Sequence, residues 1–161
     1  MIFGNVNIFA IECETTQAVD NWVYGKFRIW VNGIKIGSYS EEVLNLVGTT
    51  GVMRNPVAEL SVEHSSLSSE QLYSNVREVF FGSSGYSQAS HSEWAKYVWL
   101  YNSEGFETVF SVICKIGENI KIIWRNEPET VTNEYTFTSS AYISASILFL
   151  EWLKNIQTKN S

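Results

Sequence analysis

Hydrophobic and polar positions alternate most clearly in the stretch WVYGKFRIWVNGIKIGSY, residues 22–39. Two β-rich runs flank Asn32-Gly33, a pair that tolerates the positive φ of a two-residue hairpin turn. A slip of one residue would set apolar side chains against polar ones, so the alternation specifies the register. The predicted pairs are Val31 with Ile34, Ile29 with Ile36, and Phe27 with Ser38. We expect this hairpin to form the centre of the sheet.

The other face of the predicted hairpin combines aromatic rings with positive charges. Its members are Trp22, Tyr24, Lys26, Arg28, Trp30 and Lys35. In a two-layer fold such a face is either exposed or covered by a helix, and this much aromatic surface favours a helix cover. If the face is exposed, Trp22, Tyr24 and Trp30 are candidates for binding a partner, because Trp and Tyr are favoured at interfaces.

Alternation predicts further strands along the chain. Val6–Glu14 is the first, followed by a polar loop at Thr15–Asn21. Later strands are predicted at Trp94–Tyr101, Phe106–Ile116, Ile120–Arg125 and Tyr135–Thr138. The alternation of side chains between the two faces of the strands favours a three-residue turn at Gly117–Asn119, because Ile116 would then pair with Ile120 on one face. The segment Val57–His64 is compatible with a strand or a helix.

Three segments have helical patterns. Ser40 is a candidate cap for a helix that Gly48 ends. Ser68 and Gln71 match a capping box before a second helix, and Gly82 fits the position just past its end. The last helix begins at Ser139 or Ser140 and runs to about Ile156. Its polar stripe is narrow, so it should pack deeply; the stripe is Ser140, Ser144, Glu151 and Asn155.

These elements predict an α+β fold. We expect a mainly antiparallel twisted sheet of about six to seven strands, packed with two to three helices that include a buried C-terminal helix. The length of 161 residues predicts a single domain over residues 1–161.

Composition narrows the possible partners. The net charge is −6, with 17 acidic against 11 basic residues. An acidic chain repels phosphate backbones, which argues against direct nucleic-acid binding, and it suits a basic partner. The same charge also serves solubility. The longest apolar stretch, near Ala141–Leu153, is shorter than the roughly 18 residues of a membrane span. No basic leader precedes the first strand, so we expect a cytoplasmic protein with no membrane partner.

Catalytic and metal-binding patterns are weak. His91-Ser92-Glu93 matches only half of a zinc deaminase signature. Glu12 and Glu14 share a strand face without an activated base, and we interpret them as edge or solvent-facing charges. Cys13 and Cys114 lie on predicted strands as reduced core residues. We therefore expect no enzyme, no metal and no cofactor, with two alternatives: an enzyme whose site is assembled from His64, His91 and Glu93, or a non-catalytic adaptor subunit.

A second candidate binding surface is acidic. Glu127, Glu129 and Glu134 lie in and just after a predicted loop. They form either a contact for Lys and Arg side chains of a partner or a solvated charged turn.

The N-terminal third of the chain resembles a known family. The residues that carry the resemblance are Ile2-Phe3-Gly4, Phe9-Ala10-Ile11-Glu12, Tyr24-Gly25, Trp30-Val31-Asn32-Gly33 and Ile36-Gly37. Together they resemble the opening of bacterial immunity proteins of polymorphic-toxin and contact-dependent growth inhibition systems, most of all immunity family 42. The resemblance implies an α+β fold, a cytoplasmic location, no catalysis and a tight complex with a cognate toxin C-terminal domain. A basic toxin such as a nuclease would suit the acidic chain, and inhibition would work by covering its active site or locking its shape.

Overall fold

The computed structural model describes residues 1–37, 39, 44–53, 60–62, 66–81, 93–101, 106, 108–126 and 128–160. The strands in this part of the chain are β1 (Ile2–Asn5), β2 (Phe9–Val19), β3 (Trp22–Val31), β4 (Ile34–Ile36), β5 (Leu44–Asn45), β6 (Val98–Tyr101), β7 (Val109–Ile116), β8 (Asn119–Asn126) and β9 (Asn133–Thr138). The helices are α1 (Leu46–Met53), α2 (Ser69–Phe81) and α3 (Ser139–Asn160), with a short 3-10 turn at Ala95–Tyr97.

The β3–β4 hairpin forms with the predicted register. Asn32 and Gly33 adopt φ values of 51° and 75°, as a two-residue turn of this hand requires. Val31 lies opposite Ile34, and Ile29 lies opposite Ile36. The third predicted pair includes Ser38, which is outside the described residues.

The strands form two antiparallel sheets. The first has the order β1-β2-β3-β4, with β5 also paired to β3, and the second has the order β6-β7-β8-β9. The predicted α+β class is confirmed. The strands within the described residues are more numerous than predicted, and the hairpin belongs to one of two sheets instead of being the centre of a single one.

The chain before the hairpin differs from the prediction of one strand at Val6–Glu14. It forms β1 and β2, joined by a turn at residues 6–8, and β2 continues through the predicted loop at Thr15–Asn21. A register shift between Thr15 and Gln17 accommodates this extension. Residues 14–17 are mostly exposed, but the core continues beside them, because Val23, which pairs with Ala18, is fully buried. Their polarity therefore does not mark the end of the strand.

The turn between β7 and β8 is shorter than predicted. Gly117 and Glu118 form a two-residue turn, and Ile116 pairs with Asn119. Gly117 has a φ of 57°, which glycine adopts without strain. The argument from alternation was wrong because β7 and β8 are covered on both faces: Ile113 and Ile122 join one core cluster, whereas Val112 and Ile123 join another. Alternation carries no register information in such strands.

The first helix begins later than predicted. Asn45 caps α1 by accepting a hydrogen bond at Oδ1 from the Val47 backbone N–H, at 3.1 Å. Gly48 therefore lies inside the helix instead of ending it. The predicted cap, Ser40, is outside the described residues.

The second helix is capped as predicted. The Ser68 N–H donates to Gln71 Oε1 at 2.9 Å, and the Gln71 N–H donates to Ser68 Oγ at 3.2 Å. Leu72, Tyr73 and Val76 pack from α2 onto the second sheet in one core cluster. The position just past the helix, Gly82, is outside the described residues.

Two ambiguous segments are partly described. The predicted strand at Trp94–Tyr101 begins as the 3-10 turn and becomes extended only at Val98. In the Val57–His64 segment, Val62 forms an isolated parallel bridge with Lys115. Residues 57–59 and 63–65 are outside the described part of the chain.

The C-terminal helix supplies the centre of the main core, as predicted. Tyr142, Ala145, Phe149 and Leu153 are buried against side chains of both sheets. The Phe149 ring lies 6.1 Å from that of Phe3 and 5.5 Å from that of Phe27. The exposed side of α3 is wider than the predicted polar stripe, since Ile147 and Leu148 are 48% and 49% exposed.

Gly25 on β3 provides a test of how closely the chain packs. A Cβ at this position would lie 2.0 Å from the Glu14 carbonyl oxygen and 3.0 Å from Leu46 Cδ1. Gly25→Ala should therefore lower the free energy of unfolding by about 3 kcal/mol, because neighbouring backbone must move. In urea denaturation, Gly48→Ala is the matched control. Its Cβ would meet only Asn45 Nδ2 at 3.9 Å, and alanine should raise helix stability by about 0.5–1 kcal/mol. Equal effects of the two substitutions would contradict the packing described.

Candidate protein-interaction site

The outer face of the first sheet is open within the described residues. Strand alternation directs Val23, Phe27, Ile29 and Val31 of β3 into the core, where each is at most 1% exposed. The residues between them therefore point outward. Side chains of α1 and α3 join the core cluster on the inner face, and α2 packs on the second sheet. The helix cover that the aromatic content favoured is absent from the described part of the chain, and Trp22 is 51% exposed.

We call this surface the cationic–aromatic face. It consists of Trp22, Tyr24, Lys26, Arg28, Trp30, Lys35 and Tyr39. The first five of these residues come from β3, Lys35 comes from β4, and Tyr39 follows β4. Tyr24, Lys26, Arg28, Trp30 and Tyr39 are half-buried.

Glu12 anchors the cationic–aromatic face from the neighbouring strand. It lies opposite Arg28 in the β2–β3 register. Its Oε2 accepts hydrogen bonds from Arg28 Nε at 2.6 Å and from Trp30 Nε1 at 2.7 Å. Glu12 is thus neither an edge charge nor half of a carboxylate pair. It fixes the side chains of Arg28 and Trp30, because one oxygen binds both.

Each cation of this face lies within reach of an aromatic ring. Arg28 Cζ lies 5.2 Å from the centre of the Trp30 ring and 4.3 Å from that of Tyr39. Lys35 Nζ lies 5.1 Å from the Trp30 ring, and Lys26 Nζ lies 5.8 Å from the Tyr39 ring. Such distances are within the roughly 6 Å at which a cation is attracted to a ring. The rings and cations therefore hold one another in place across the face.

Local interactions set the charge of the face. Partial burial raises the pKa of Glu12, but the hydrogen bonds from Arg28 and Trp30 and the charge of Arg28 together outweigh it, so the pKa lies below its ordinary value. Burial raises the pKa of the Tyr39 phenol, and Glu12 and Glu14 raise it further. At neutral pH Glu12 is ionised and Tyr39 is neutral.

The acidic candidate surface lies elsewhere. Glu134 is exposed on β9 of the second sheet, and Glu129 is exposed in the segment before it. Glu127 is outside the described residues. The structure therefore groups Trp22, Tyr24 and Trp30 on one sheet, whereas Glu134 lies on the other sheet and Glu129 lies in the segment before β9.

An ion pair missed from the sequence ties α2 to the second sheet. Arg125 Nη2 donates to Glu70 Oε1 at 2.9 Å and to Thr132 Oγ1 at 2.7 Å, and its Cζ lies 4.9 Å from the Tyr73 ring. Hydrogen bonding with Thr132 and the charge of Arg125 lower the pKa of Glu70. Glu70 and Arg125 are 55 residues apart, and no local pattern predicts their contact.

Sequence reasoning also missed Tyr39 and the role of Glu12. A sequence signal for the role of Glu12 does exist, because antiparallel pairing of its strand with the next one places Glu12 and Arg28 on the same face. Tyr39 has no such signal, because its position depends on the course of the chain after β4.

The candidate catalytic residues do not converge in the described structure. His64 and His91 are outside the described residues, and Glu93 is exposed. Nowhere in the described ranges do three His, Cys, Asp or Glu side chains form a group that would hold a metal ion. Both cysteines are buried thiols, as predicted, and burial raises the pKa of Cys13 to about 12. No helix among these residues has the length and apolar character needed to span a membrane.

Comparison with known proteins decides the family. The model of the family described as Immunity protein 42 matches residues 1–152. The chain belongs to the Immunity protein 42 family. The resemblance of the N-terminal motifs is thereby confirmed, and the protein is a non-enzymatic immunity protein that neutralises a toxin.

The fold of this Immunity protein 42 member is similar to a solved structure. The crystal structure of CdiI from Burkholderia dolosa AUO158 superposes with a TM-score of 0.72, covering 94% of this chain and 99% of that chain. The two sequences are 17% identical, so the likeness concerns the fold alone. No curated protein matches the sequence.

The Glu12 cluster predicts a pH-dependent contribution to stability. Glu12→Gln should lower the free energy of unfolding by about 1–3 kcal/mol at pH 7, because hydrogen bonds to a charged acceptor are replaced by weaker ones. The pKa of Glu12 is lower in the folded state, so its stabilisation is complete above the unfolded-state pKa near about 4.3 and is lost as the pH falls further. Denaturation at several pH values should show the difference from wild type closing below about pH 4.

The matched control for that experiment is Glu14→Gln. Glu14 lies on the same face of β2, is exposed, and makes no ion pair with any described residue. Its substitution should change stability by less than about 0.5 kcal/mol. A Glu12→Gln deficit that stays constant down to pH 2 would contradict the role assigned to the ionised carboxylate.

Proposed function

We propose that this Immunity protein 42 member neutralises its toxin by binding the toxin's C-terminal domain in the cytoplasm and covering the active site. The family match over residues 1–152 carries the proposal. It also sets aside the dispersed-site enzyme and the adaptor subunit. The face of the first sheet, which no described helix covers, supports inhibition by binding, because a contact surface on strands is held in place before the partner arrives.

The partner in this proposal is a basic toxin domain, of which a nuclease is one example. The net charge of −6 supports it, because opposite charge raises the rate of encounter and rejects wrong partners. Such steering acts over the Debye length of about 8 Å at physiological salt and needs no close contact. Glu129 and Glu134 would then act as steering charges at some distance from the centre of the interface, and Glu127, which lies outside the described residues, would add to the negative charge of the chain.

The centre of the interface in this proposal is the cationic–aromatic face. Trp22, Tyr24 and Trp30 are the residue types that most often dominate binding energy when water is excluded. A typical interface buries about 800 Å² on each partner and engages 20–30 residues. The outer surface of β2, β3 and β4 offers a continuous platform for such a contact.

Co-expression tests the proposed function. The probe is the toxin domain encoded next to the gene for this protein, produced in a host with or without the immunity protein. We expect rescue of growth and co-purification of the two proteins, whereas a toxin domain from an unrelated system should stay toxic. Toxicity unchanged by the immunity protein, with no complex recovered, would contradict the proposal.

The acidic surface gives a kinetic prediction. The double substitution Glu129→Lys with Glu134→Lys should slow association with the toxin domain about tenfold at low salt and flatten its salt dependence. Surface plasmon resonance at several salt concentrations measures both effects. Glu78→Lys with Glu151→Lys is the control, since it changes the net charge equally at exposed positions on α2 and α3. Equal slowing in the two variants would show that only net charge matters.

A further inference from the structure

We propose that the cationic–aromatic face recognises a carboxylate-bearing segment of the toxin domain, with Arg28 as the central binding group. This inference rests on the proposed function and specifies the chemistry of one contact. The net charge of the chain does not predict this contact, since the chain has an excess of acidic residues and yet three cations lie on one sheet face. The toxin domain would thus be basic in sum and present acidic side chains to this face.

Arg28 is held ready to bind. Its Nε is occupied by Glu12, and the rings of Trp30 and Tyr39 lie near its guanidinium carbon. Within the described residues no other hydrogen-bond acceptor contacts this guanidinium. Among these residues its two Nη groups therefore have no acceptor, and the planar guanidinium suits the pair of oxygens of a carboxylate. The Arg28 side chain is 17% exposed, so a partner would contact only a small part of it. The fixed side chain loses little freedom on binding.

Lys26 and Lys35 extend the positive charge on both sides of Arg28. Lys35 lies opposite Trp30 in the β3–β4 register, and Lys26 lies two residues before Arg28 on β3. Neither lysine forms an ion pair with a carboxylate of the described residues. Glu14 is opposite Lys26 in the β2–β3 register without an ion pair between them. Within the described part of the chain, the face carries the three cations Lys26, Arg28 and Lys35 against the carboxylates of Glu12 and Glu14, so positive charge remains in excess.

The spacing of these cations fits an extended acidic peptide. Alternate residues on a strand lie about 6.5–7 Å apart on one face. Lys26 and Arg28 are alternate residues of β3 and so have this spacing. Alternate acidic residues of an extended peptide would lie the same distance apart. The exposed Trp22 and the half-buried Tyr24 continue the same face and offer apolar contact beside the charges.

A protein carboxylate fits this face better than a nucleic-acid phosphate backbone. A long polyanion would meet the repulsion of a chain with a net charge of −6. A few carboxylates on a folded partner are affected mainly by charges within about 8 Å. They would experience the local excess of positive charge without the full repulsion.

Alanine substitution of the two lysines tests the inference. Lys26→Ala with Lys35→Ala should weaken binding of the toxin domain by about tenfold or more, as expected for residues central to an interface. The control is Lys154→Ala with Lys159→Ala, at exposed positions on α3, which removes the same charge. Both variants become more acidic, so general attraction to a basic toxin strengthens equally. A loss of affinity in the first variant alone therefore reports a specific contact.

Arg28→Lys is the second variant. It keeps the charge but removes the planar pair of donors, and we expect about tenfold weaker binding. Rescue by the conservative residue would mean that charge alone suffices and would overturn the assignment of Arg28. Thermal unfolding of each variant confirms that it is folded before calorimetric titration with the toxin domain.

The failures of the two proposals are distinguishable. Absence of binding by the wild type would overturn the proposed function itself. Wild-type binding with equal affinities for the lysine variant and its control would overturn only the carboxylate contact. A single-stranded RNA oligonucleotide is the third probe. If the wild type binds this RNA, and the lysine variant loses RNA binding but keeps toxin binding, the face serves a nucleic acid and the inference is wrong.

Discussion

The packing of α3 against the inner face of the first sheet is the contact on which the rest of the structure depends. Phe149 touches aromatic rings from both β1 and β3, and Tyr142 lies 4.9 Å from the Phe9 ring of β2. The side chains that join α3 in this core also come from the second sheet. Once the inner face is occupied in this way, strand alternation directs every second residue of β3 outward. The composition of the cationic–aromatic face follows from this division.

Close approaches of the backbone make the first sheet, which carries the cationic–aromatic face, rigid. A Cβ at Gly4 would lie 2.5 Å from the Phe9 carbonyl oxygen and 3.0 Å from Ala145 Cβ, so a glycine lets β1 lie close to β2 and α3. Glu12 then fixes the outer side chains of Arg28 and Trp30. Binding surfaces built on strands and supported by a second set of hydrogen bonds lose less conformational entropy when a partner arrives. An inhibitor of a toxin gains affinity from such pre-organisation without needing a pocket.

Charge is distributed to match this organisation. The chain is acidic as a whole, yet the outward side of β3 and β4 carries Lys26, Arg28 and Lys35. Glu134 lies on β9 of the other sheet, and Glu129 lies in the segment before it. Fields from the whole chain govern encounter, whereas close contacts govern which surface is held. A partner must therefore complement the overall charge of the chain to associate quickly, and must complement the close contacts of one face to stay bound.

Features decided by neighbouring residues were predictable from the sequence. The Asn32-Gly33 turn determines its own φ values and the register of β3 with β4, and the Ser68–Gln71 capping box begins α2. The family motifs lie in residues 2–37, so the family could be recognised from that N-terminal segment. The extent of β2 could not be predicted, because an exposed run of polar residues within a strand resembles a loop. The turn at Gly117 could not be predicted, because a strand buried on both faces shows no alternation of polar and apolar residues. Only the tertiary structure decided that the strands divide into two sheets and that the outer side of β3 has no helix over it in the described residues. The physical reason is that burial on either face depends on side chains distant in sequence, and no local pattern specifies which surface they will cover.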